Sequence, residues 1–457
     1  MDSEVSTVNG QRNEEAKEKD QAQYTTQPYN EKEGVVGSDS GQSITQTIHV
    51  PDGGFRAWLV VAGCFIDLFS SFGLMNSYGV FQEHYTSTLL TKTSPSIISL
   101  IGSFQLFLSY ALSPLVGRIF DAYGPRELIL LGTILITISM MLLSVCQKDH
   151  LYQFFLCHGV LFGLADALVF TPALACVGHW FKRKRGYALG LVAAGSGLGG
   201  LVYPILLQQL IIKIGFPWAV RVAGFLTFAC LIFSCLTMRT YLPLKRRVSL
   251  RDAVDLRGFL DIRYCLAALG AFFGFYALFI PYYYIGVYGN FEGVDPGLSK
   301  YLISILNGMG IPARILPGLL ADRFGPLNVL IPTMSLCTLW VFALWLPSRS
   351  PSTISAFAAL YGLFSGGFLS LLPSYIAIIS PVEKFGARLG SIYLVAAVAT
   401  LIGTPTAGAF LDRTNQNAAD QSHFNRLIIF TGALLVACTL SMVAARFVHS
   451  RKLRQKV

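Results

Sequence analysis

The sequence predicts an all-α membrane protein of twelve transmembrane helices in two six-helix bundles, on three observations. Of 457 residues, 53% are hydrophobic and only 13% charged, which leaves too little polar surface for a water-soluble globule of this size. Apolar stretches of about 20 residues, the length that crosses a bilayer as a helix, recur from Trp58 almost to the C-terminus. A glycine-led decapeptide occurs twice, as GRIFDAYGPR (Gly117 to Arg126) and GLLADRFGPL (Gly318 to Leu327), with glycine, aspartate, glycine and proline at the same offsets.

Further matches keep nearly that offset. KRGYALG (Lys184 to Gly190) answers to KFGARLG (Lys384 to Gly390), and Pro204 answers to Pro405. A period near 200 is far too long for a solenoid repeat and suits a duplicated bundle of membrane helices.

In chain order, residues 1–54 are expected to be a disordered cytoplasmic tail, because most of this stretch is rich in Glu, Gln, Ser, Thr, Asn and Lys and poor in apolar side chains. It lacks the apolar core of a signal peptide, so the first membrane helix is expected to direct insertion. A first bundle, 55–241, holds spans near 58–83, 97–120, 127–146, 151–180, 186–211 and 217–241. A cytoplasmic linker, 242–258, precedes a second bundle, 259–448, with spans near 259–288, 297–321, 327–347, 352–379, 385–411 and 424–448. A short cytoplasmic tail, 449–457, closes the chain. Gly and Pro inside these runs are tolerated in membrane helices where neighbours satisfy the freed backbone groups.

The net charge of +10 reads as an orientation signal rather than a nucleic-acid signal. Alternate connections carry Arg118 and Arg126, then Lys182 to Arg185, then Lys245, Arg246, Arg247, Arg251 and Arg257, then Arg323, then Lys384 and Arg388. The opposite connections hold mostly single cations such as Lys92, Lys148, Lys300 and Arg349. Both termini are therefore expected in the cytoplasm.

Nine cysteines are scattered singly, as small core packers, with no CxxC. No Walker loop, HExxH, GxSxG or zinc spacing is present, and no nucleophile and base pair stands out, so neither an ATP-driven pump nor an enzyme is expected. No cofactor and no metal are implied. The expected partners are a small-molecule substrate, the lipid bilayer and protons as coupling ion.

The decapeptide falls at the end of the second helix and the turn into the third. Gly117 permits close helix approach, Asp121 can accept bonds from a neighbouring helix, and Gly124 with Pro125 forces a tight reversal before Arg126. Gly318, Asp322, Arg323 and Gly325 repeat the device at the end of the eighth helix. Such turns can latch one bundle to the other, which makes these residues gating candidates.

With its two copies of G-x-x-x-D-x-x-G and its 6+6 count, residues 55–448 resemble the major facilitator superfamily of secondary transporters. More narrowly, DGGFRAWLVVAGCF (Asp52 to Phe65), FGLMNSYGVFQEHY (Phe72 to Tyr85) and RGYALGLVAAGSGLGGLVYP (Arg185 to Pro204) resemble the fungal branch of the monocarboxylate-transporter family. Relatives there include riboflavin carriers and transporters of secondary metabolites. The resemblance implies transport by alternating access, with cargo held between the bundles near mid-membrane.

Charged groups deep in a span cost roughly 2.5–3.5 kcal/mol on insertion scales, so each is informative. Arg314 stands eight residues before Asp322, about 12 Å into its helix at 1.5 Å per residue. In the resembled family an arginine at this place meets an anionic substrate. Where that family's proton-coupled lactate carriers have an aspartate and a first-helix lysine, this chain has Gly310 and Asn76, which argues against lactate as cargo. Asn76 is expected to hydrogen-bond the substrate, with Phe72 one turn earlier on its face. Asp67 is nine residues from Asn76 and thus on the opposite face, expected to bond a neighbouring helix while remaining a candidate proton site.

In the fourth helix Asp166 is the deeper proton-coupling candidate, and His158 is expected in a buried hydrogen bond. The seventh helix offers Tyr282 and Tyr283 after Pro281 as stacking and hydrogen-bonding groups, and Tyr288 for the interfacial aromatic belt. Phe368, beside Gly366 and Gly367, completes the expected cavity wall. In the fifth helix Gly186 with Gly190, then Gly195 with Gly199, are four apart and expected on one helical face, where they let another backbone approach. The expected function is secondary active transport of a small organic anion or aromatic metabolite across the plasma membrane, efflux of a secondary metabolite being one direction it can take. Uptake of a monocarboxylate or a riboflavin-like nutrient is the alternative, and a non-transporting receptor the reading from another class.

Overall fold

A computed structural model describes residues 51–182, 184–241, 253–381, 384–411 and 420–450. Expectations for the N-terminal tail up to residue 50, most of the 242–258 linker and the tail from residue 451 fall outside these residues. All regular structure among them is helical. Eleven helices among the described residues are long and apolar enough to cross a membrane. One of these, Arg185–Thr237, is 53 residues long, about 80 Å at 1.5 Å per residue and far more than a bilayer of about 30 Å requires. Its continuity is broken at Gly215, whose φ of 79° and ψ of 163° are not helical, with Pro217 just beyond. It therefore makes two spans, and the expected twelve are present.

We number them α1 (Phe55–Leu89), α2 (Pro95–Tyr123), α3 (Arg126–Leu143), α4 (Leu151–Trp180), α5 (185–214), α6 (216–237), α7 (Ile262–Phe291), α8 (Pro296–Phe324), α9 (Pro326–Trp345), α10 (Pro351–Ile379), α11 (Phe385–Ala409) and α12 (Gln421–His449). Local signals start several of them. Ser94 caps α2, Asp295 caps α8 and Asp420 caps α12 through side-chain bonds to first-turn N–H groups, and Pro follows the cap of α2, α8 and α10.

Both decapeptides adopt one turn geometry. Gly124 (φ 85°) and Gly325 (φ 94°) cap α2 and α8 in the left-handed region, each donating its N–H to the carbonyl four residues back, Phe120 and Ala321, at 2.8 Å. The proline that follows each glycine opens the next helix. Between the six-helix sets the main contacts are α2 on α11 and α5 on α8, which are equivalent pairs under the 201-residue repeat.

Alternate connections share a face. At the decapeptide face, Asp52 N–H donates to the Trp180 carbonyl (3.0 Å), Trp180 Nε1 to that of Arg239 (2.8 Å), and Arg446 Nε to Asn328 Oδ1 (2.6 Å), while Arg388 pairs with Asp255 (3.3 Å). At the other face Lys92 pairs with Asp149 and Arg349 with Glu292. The chain thus threads back and forth as the charge pattern requires.

Two readings need correction. Tyr288 is fully buried and donates to the Ser348 carbonyl (2.8 Å), so it packs the end of the second six-helix set instead of joining an interfacial belt. The four α5 glycines serve two partners, because nine residues separate Gly186 from Gly195, half a turn beyond whole turns. A Cβ on Gly190 would stand 2.5 Å from the Arg314 carbonyl oxygen of α8, whereas one on Gly199 would stand 2.7 Å from Gly73 Cα of α1.

Candidate functional site

Midway along the spans, the helices surround a cavity of about 40 Å³, room for a few waters at most. Its wall is aromatic. Phe72 of α1 lies 4.9 Å from Phe170 of α4, ring centre to ring centre, Tyr110 of α2 stacks on Tyr393 of α11 at 5.5 Å, and Phe275 of α7 closes the box 5.2 Å from Tyr110. Ser196 of α5 is a polar group on its edge. Both six-helix sets contribute to the wall.

Of the residues expected here from sequence, only Phe72 lines the cavity. Asn76, one turn on, donates to the Ser196 carbonyl at 3.4 Å and so touches the cavity's edge residue. Phe368 lies behind Phe275, at 5.2 Å and against Gly274, while its neighbour Leu369 reaches the cavity. Tyr282 approaches Ser365 Oγ (3.3 Å) and faces Arg314. Tyr283 stands away from the cavity, where its ring packs 5.0 Å from Tyr78 across the two sets.

Arg314 is 1% exposed. Its guanidinium occupies space left by glycines: a Cβ on Gly310 would stand 3.0 Å from Nη1, one on Gly366 3.2 Å from Cγ, and one on Gly197 would overlap Nη1 outright. Tyr282 and Tyr110 are the titratable side chains that interact with its charge. Among the described residues Nε and Nη1 have no hydrogen-bond partner, and no carboxylate pairs with it. The other buried arginine, Arg446, is bonded to Asn328 and to the Ser450 carbonyl. Burying a charged donor without an acceptor is expensive.

Asp67 and Asp166, on α1 and α4, are both fully buried. Ser109 Oγ donates to Asp166 Oδ2 at 2.5 Å, while both oxygens of Asp67 are without a partner among the described residues. His158 is held as expected, by Tyr85 Oη at 2.9 Å, and Gln105 donates to its carbonyl.

At the decapeptide face the two copies differ in tightness. Asp322 at the end of α8 faces the N–H of Tyr187 at the start of α5, and a Cβ on Gly318 would stand 2.9 Å from the Gly186 carbonyl oxygen. A Cβ on Gly117 would meet nothing nearer than Thr171 Cγ2 at 3.7 Å, so the close approach expected there is absent in this conformation. Arg126 opens α3, and Arg323 lies over the Phe324 ring at 5.5 Å. Arg185 crosses between the sets to stand 4.5 Å over the Phe385 ring.

Sequence reasoning missed Tyr110, Phe170, Phe275 and Tyr393. One signal was available. Gly390 packs on Pro114 (2.9 Å from a Cβ built there), and Tyr393, three residues on, shares that face of α11 toward α2. A larger groove of about 710 Å³ on the outer flank of α1, α5 and α6 is lined by Trp58, Phe65, Leu191 and Phe233 among other apolar residues. Without polar groups it offers cargo no orientation, so we place the site at the central cavity.

Twelve spanning helices with a closed chamber at the junction of two equivalent six-helix sets define an integral, multi-pass membrane transporter. The chain belongs to the Major Facilitator Superfamily, whose model matches residues 60–353 and 318–456. It is 39% identical to MFS-type transporter 1 of an Ophiocordyceps species, over 87% of this chain and 86% of that one. It is 37% identical to the aspyridones efflux protein apdF of Emericella nidulans (84% and 77%) and 34% to the fujikurins efflux protein of Gibberella fujikuroi (88% and 85%). Its fold is similar to that of the human organic anion transporter MFSD10, with a TM-score of 0.64 over 85% of this chain and 100% of that one, at 17% identity. These findings point to a transporter, not to an enzyme.

Proposed function

We propose that this transporter exports an acidic aromatic metabolite by alternating access, with Arg314 as the anion anchor and the Phe72, Tyr110, Phe170, Phe275 and Tyr393 box as the stacking surface. The observation that carries this is a buried guanidinium with two nitrogens, Nε and Nη1, that have no acceptor among the described residues, beside an aromatic chamber that spans both six-helix sets. A carboxylate satisfies a guanidinium through paired charge-assisted bonds, and flat rings gain most from an aromatic wall. Export is favoured by the relatives named for aspyridones and fujikurins efflux. The chamber is too small for such cargo as it stands, so loading requires the α5–α8 and α2–α11 seams to part at one end.

In this reading 55–241 and 259–448 are the moving bundles and 242–258 joins them in the cytoplasm, where the basic connections place both termini, and the membrane is the plasma membrane. Asn76 positions Ser196, Tyr282 orients Arg314, and Gly117, Asp121, Gly318 and Asp322 belong to the cytoplasmic latch. Protons are the coupling ion. The test is uptake into vesicles of benzoate, phenylpyruvate, pyruvate and riboflavin by wild type and Arg314→Ala. Aromatic carboxylates are expected to be carried and to lose flux in the variant. Equal flux in the variant, or preference for an uncharged compound, overturns the reading.

A further inference from the structure

The α5–α8 seam holds a second buried polar side chain besides Arg314. Asn307 precedes Arg314 by seven residues on α8, within about 20° of two full turns, so both lie on one face of that helix. Asn307 is fully buried, and its Nδ2 donates to the Ile303 carbonyl at 3.1 Å. That bond fixes which end of the amide is the oxygen, because only the NH2 end can face a carbonyl. Oδ1 is left without a partner among the described residues, as are Nε and Nη1 of Arg314.

Two α5 glycines make the room for both groups. A Cβ on Gly200 would stand 2.5 Å from Asn307 Oδ1, and one on Gly197 would overlap Arg314 Nη1. Residues three apart on a helix have Cβ positions about 5–6 Å from each other, so the unpartnered acceptor and the unpartnered donor lie side by side, roughly one small functional group apart. They do not bond each other, and the α5 backbone cannot serve Oδ1, since N–H groups inside a helix are spent on its own carbonyls. Ser196, next to Gly197, edges the aromatic chamber. The pair therefore adjoins the chamber at its polar edge.

We propose that Asn307 Oδ1 and the Arg314 guanidinium form a clamp that selects cargo carrying a hydrogen-bond donor, a hydroxyl or an N–H, directly beside its acidic group. The inference rests on the anion reading of Arg314 and adds a second requirement to it. The acidic oxygen of the cargo accepts from Nη1, and the adjacent hydroxyl or N–H donates to Oδ1, so each protein atom gains the partner that the shut seam denies it. A plain carboxylate satisfies the guanidinium alone and leaves Oδ1 bare. Asparagine suits this task better than aspartate, because a carboxylate at this position would pair with Arg314 and occupy the anchor itself. Parting of α5 from α8, which loading requires, lifts Gly197 and Gly200 away and uncovers both atoms together.

The test uses three acids that share a phenyl ring and chain length: 3-phenylpropanoate, 2-hydroxy-3-phenylpropanoate and 2-methoxy-3-phenylpropanoate, titrated by calorimetry into the full chain in phosphatidylcholine nanodiscs. Burial alone favours the compounds without a hydroxyl. Wild type is nevertheless expected to bind one enantiomer of the hydroxy acid at least about fivefold tighter than the other two acids. Asn307→Leu is expected to erase that preference, and Asn307→Asp, of the same shape, to weaken all three acids together by pairing with Arg314. Equal binding of the hydroxy and methoxy acids by wild type, a comparison that needs no variant to fold, overturns the clamp, as does a preference that survives in Asn307→Leu. In either case weaker binding of all three acids by Arg314→Ala leaves the anion reading standing. Binding that is indifferent to Arg314→Ala, or absent altogether, overturns the anion reading and the clamp with it.

Discussion

Substituting alanine at Gly318 and, separately, at Gly117 tests whether the repeated decapeptide is a latch, because the two glycines hold equivalent sequence positions in different surroundings. In a helix interior glycine to alanine by itself stabilises by about 1 kcal/mol. At Gly117 the new methyl finds its nearest neighbour at 3.7 Å, ordinary contact, so the full gain is expected. At Gly318 the methyl would stand 2.9 Å from the Gly186 carbonyl oxygen, a backbone atom that cannot rotate away. α5 and α8 must then separate by several tenths of an ångström, and overpacking of this kind costs about 1–3 kcal/mol.

That cost falls only on the conformation in which the seam is shut, so Gly318→Ala is expected to shift the population toward the form open at the decapeptide face by about 5- to 150-fold. Hydrogen exchange read by mass spectrometry on peptides covering 185–190 and 318–325 should show faster exchange in Gly318→Ala and none in Gly117→Ala. Thermal unfolding should remain cooperative in both. If the two variants exchange alike, or if Gly318→Ala lowers the melting temperature without opening the seam, the decapeptide is an ordinary packed turn and the latch argument fails.

Three further outcomes follow from the same geometry. Arg314→Lys keeps the charge but loses the planar fork, and flux of test carboxylates in vesicles should fall at least about tenfold, since a bidentate site does not accept a point charge as equivalent. Tyr393→Leu and Phe275→Leu each remove one ring from the wall, and since a ring paired with aromatic cargo is worth about 0.5–1.5 kcal/mol, binding of an aromatic carboxylate followed by fluorescence should weaken about two- to tenfold while that of pyruvate is unchanged. Gly325→Ala forces a Cβ into the left-handed region at φ 94°, costing about 1–2 kcal/mol, and should lower the melting temperature, whereas Gly286→Ala, with open space around it, should not.

Span number, order and the repeat were readable because lipid demands long apolar helices and because left-handed caps demand glycine. Those constraints act within a few residues. The α5–α6 junction, expected between 211 and 217, falls at Gly215. The cargo wall was largely not readable. Tyr110, Phe170, Phe275 and Tyr393 come from four helices, and their shared chamber depends on rotation of each helix about its axis, which an apolar sequence in an apolar solvent leaves unmarked. Phe368 shows the converse, an aromatic flanked by glycines that turns to pack on Phe275. Arg314 was conspicuous because an isolated charge is rare in a span, but the glycines that cradle it, Gly197 on α5 and Gly366 on α10, become meaningful only once the helices are assembled.

The repeat also persists where no motif marks it. α1 is interrupted at Ser77 (φ −89°, ψ 3°) and α7 at Phe279 (φ −87°, ψ −8°), 202 residues apart, with nearly the same backbone geometry and different side chains. Only α7 has a proline near its break, Pro281, so proline is not the common cause. What the two breaks share is their placement. Phe72 and Phe275, both on the chamber wall, precede them by about one turn, while Tyr78 and Tyr283, which stack on each other across the seam, follow within four residues. A bend at these points can move the outer tyrosine pair without moving the inner aromatics. Opening of the far face is therefore separable from release of the Gly186–Gly318 seam at the decapeptide face, which is the independence that alternating access requires.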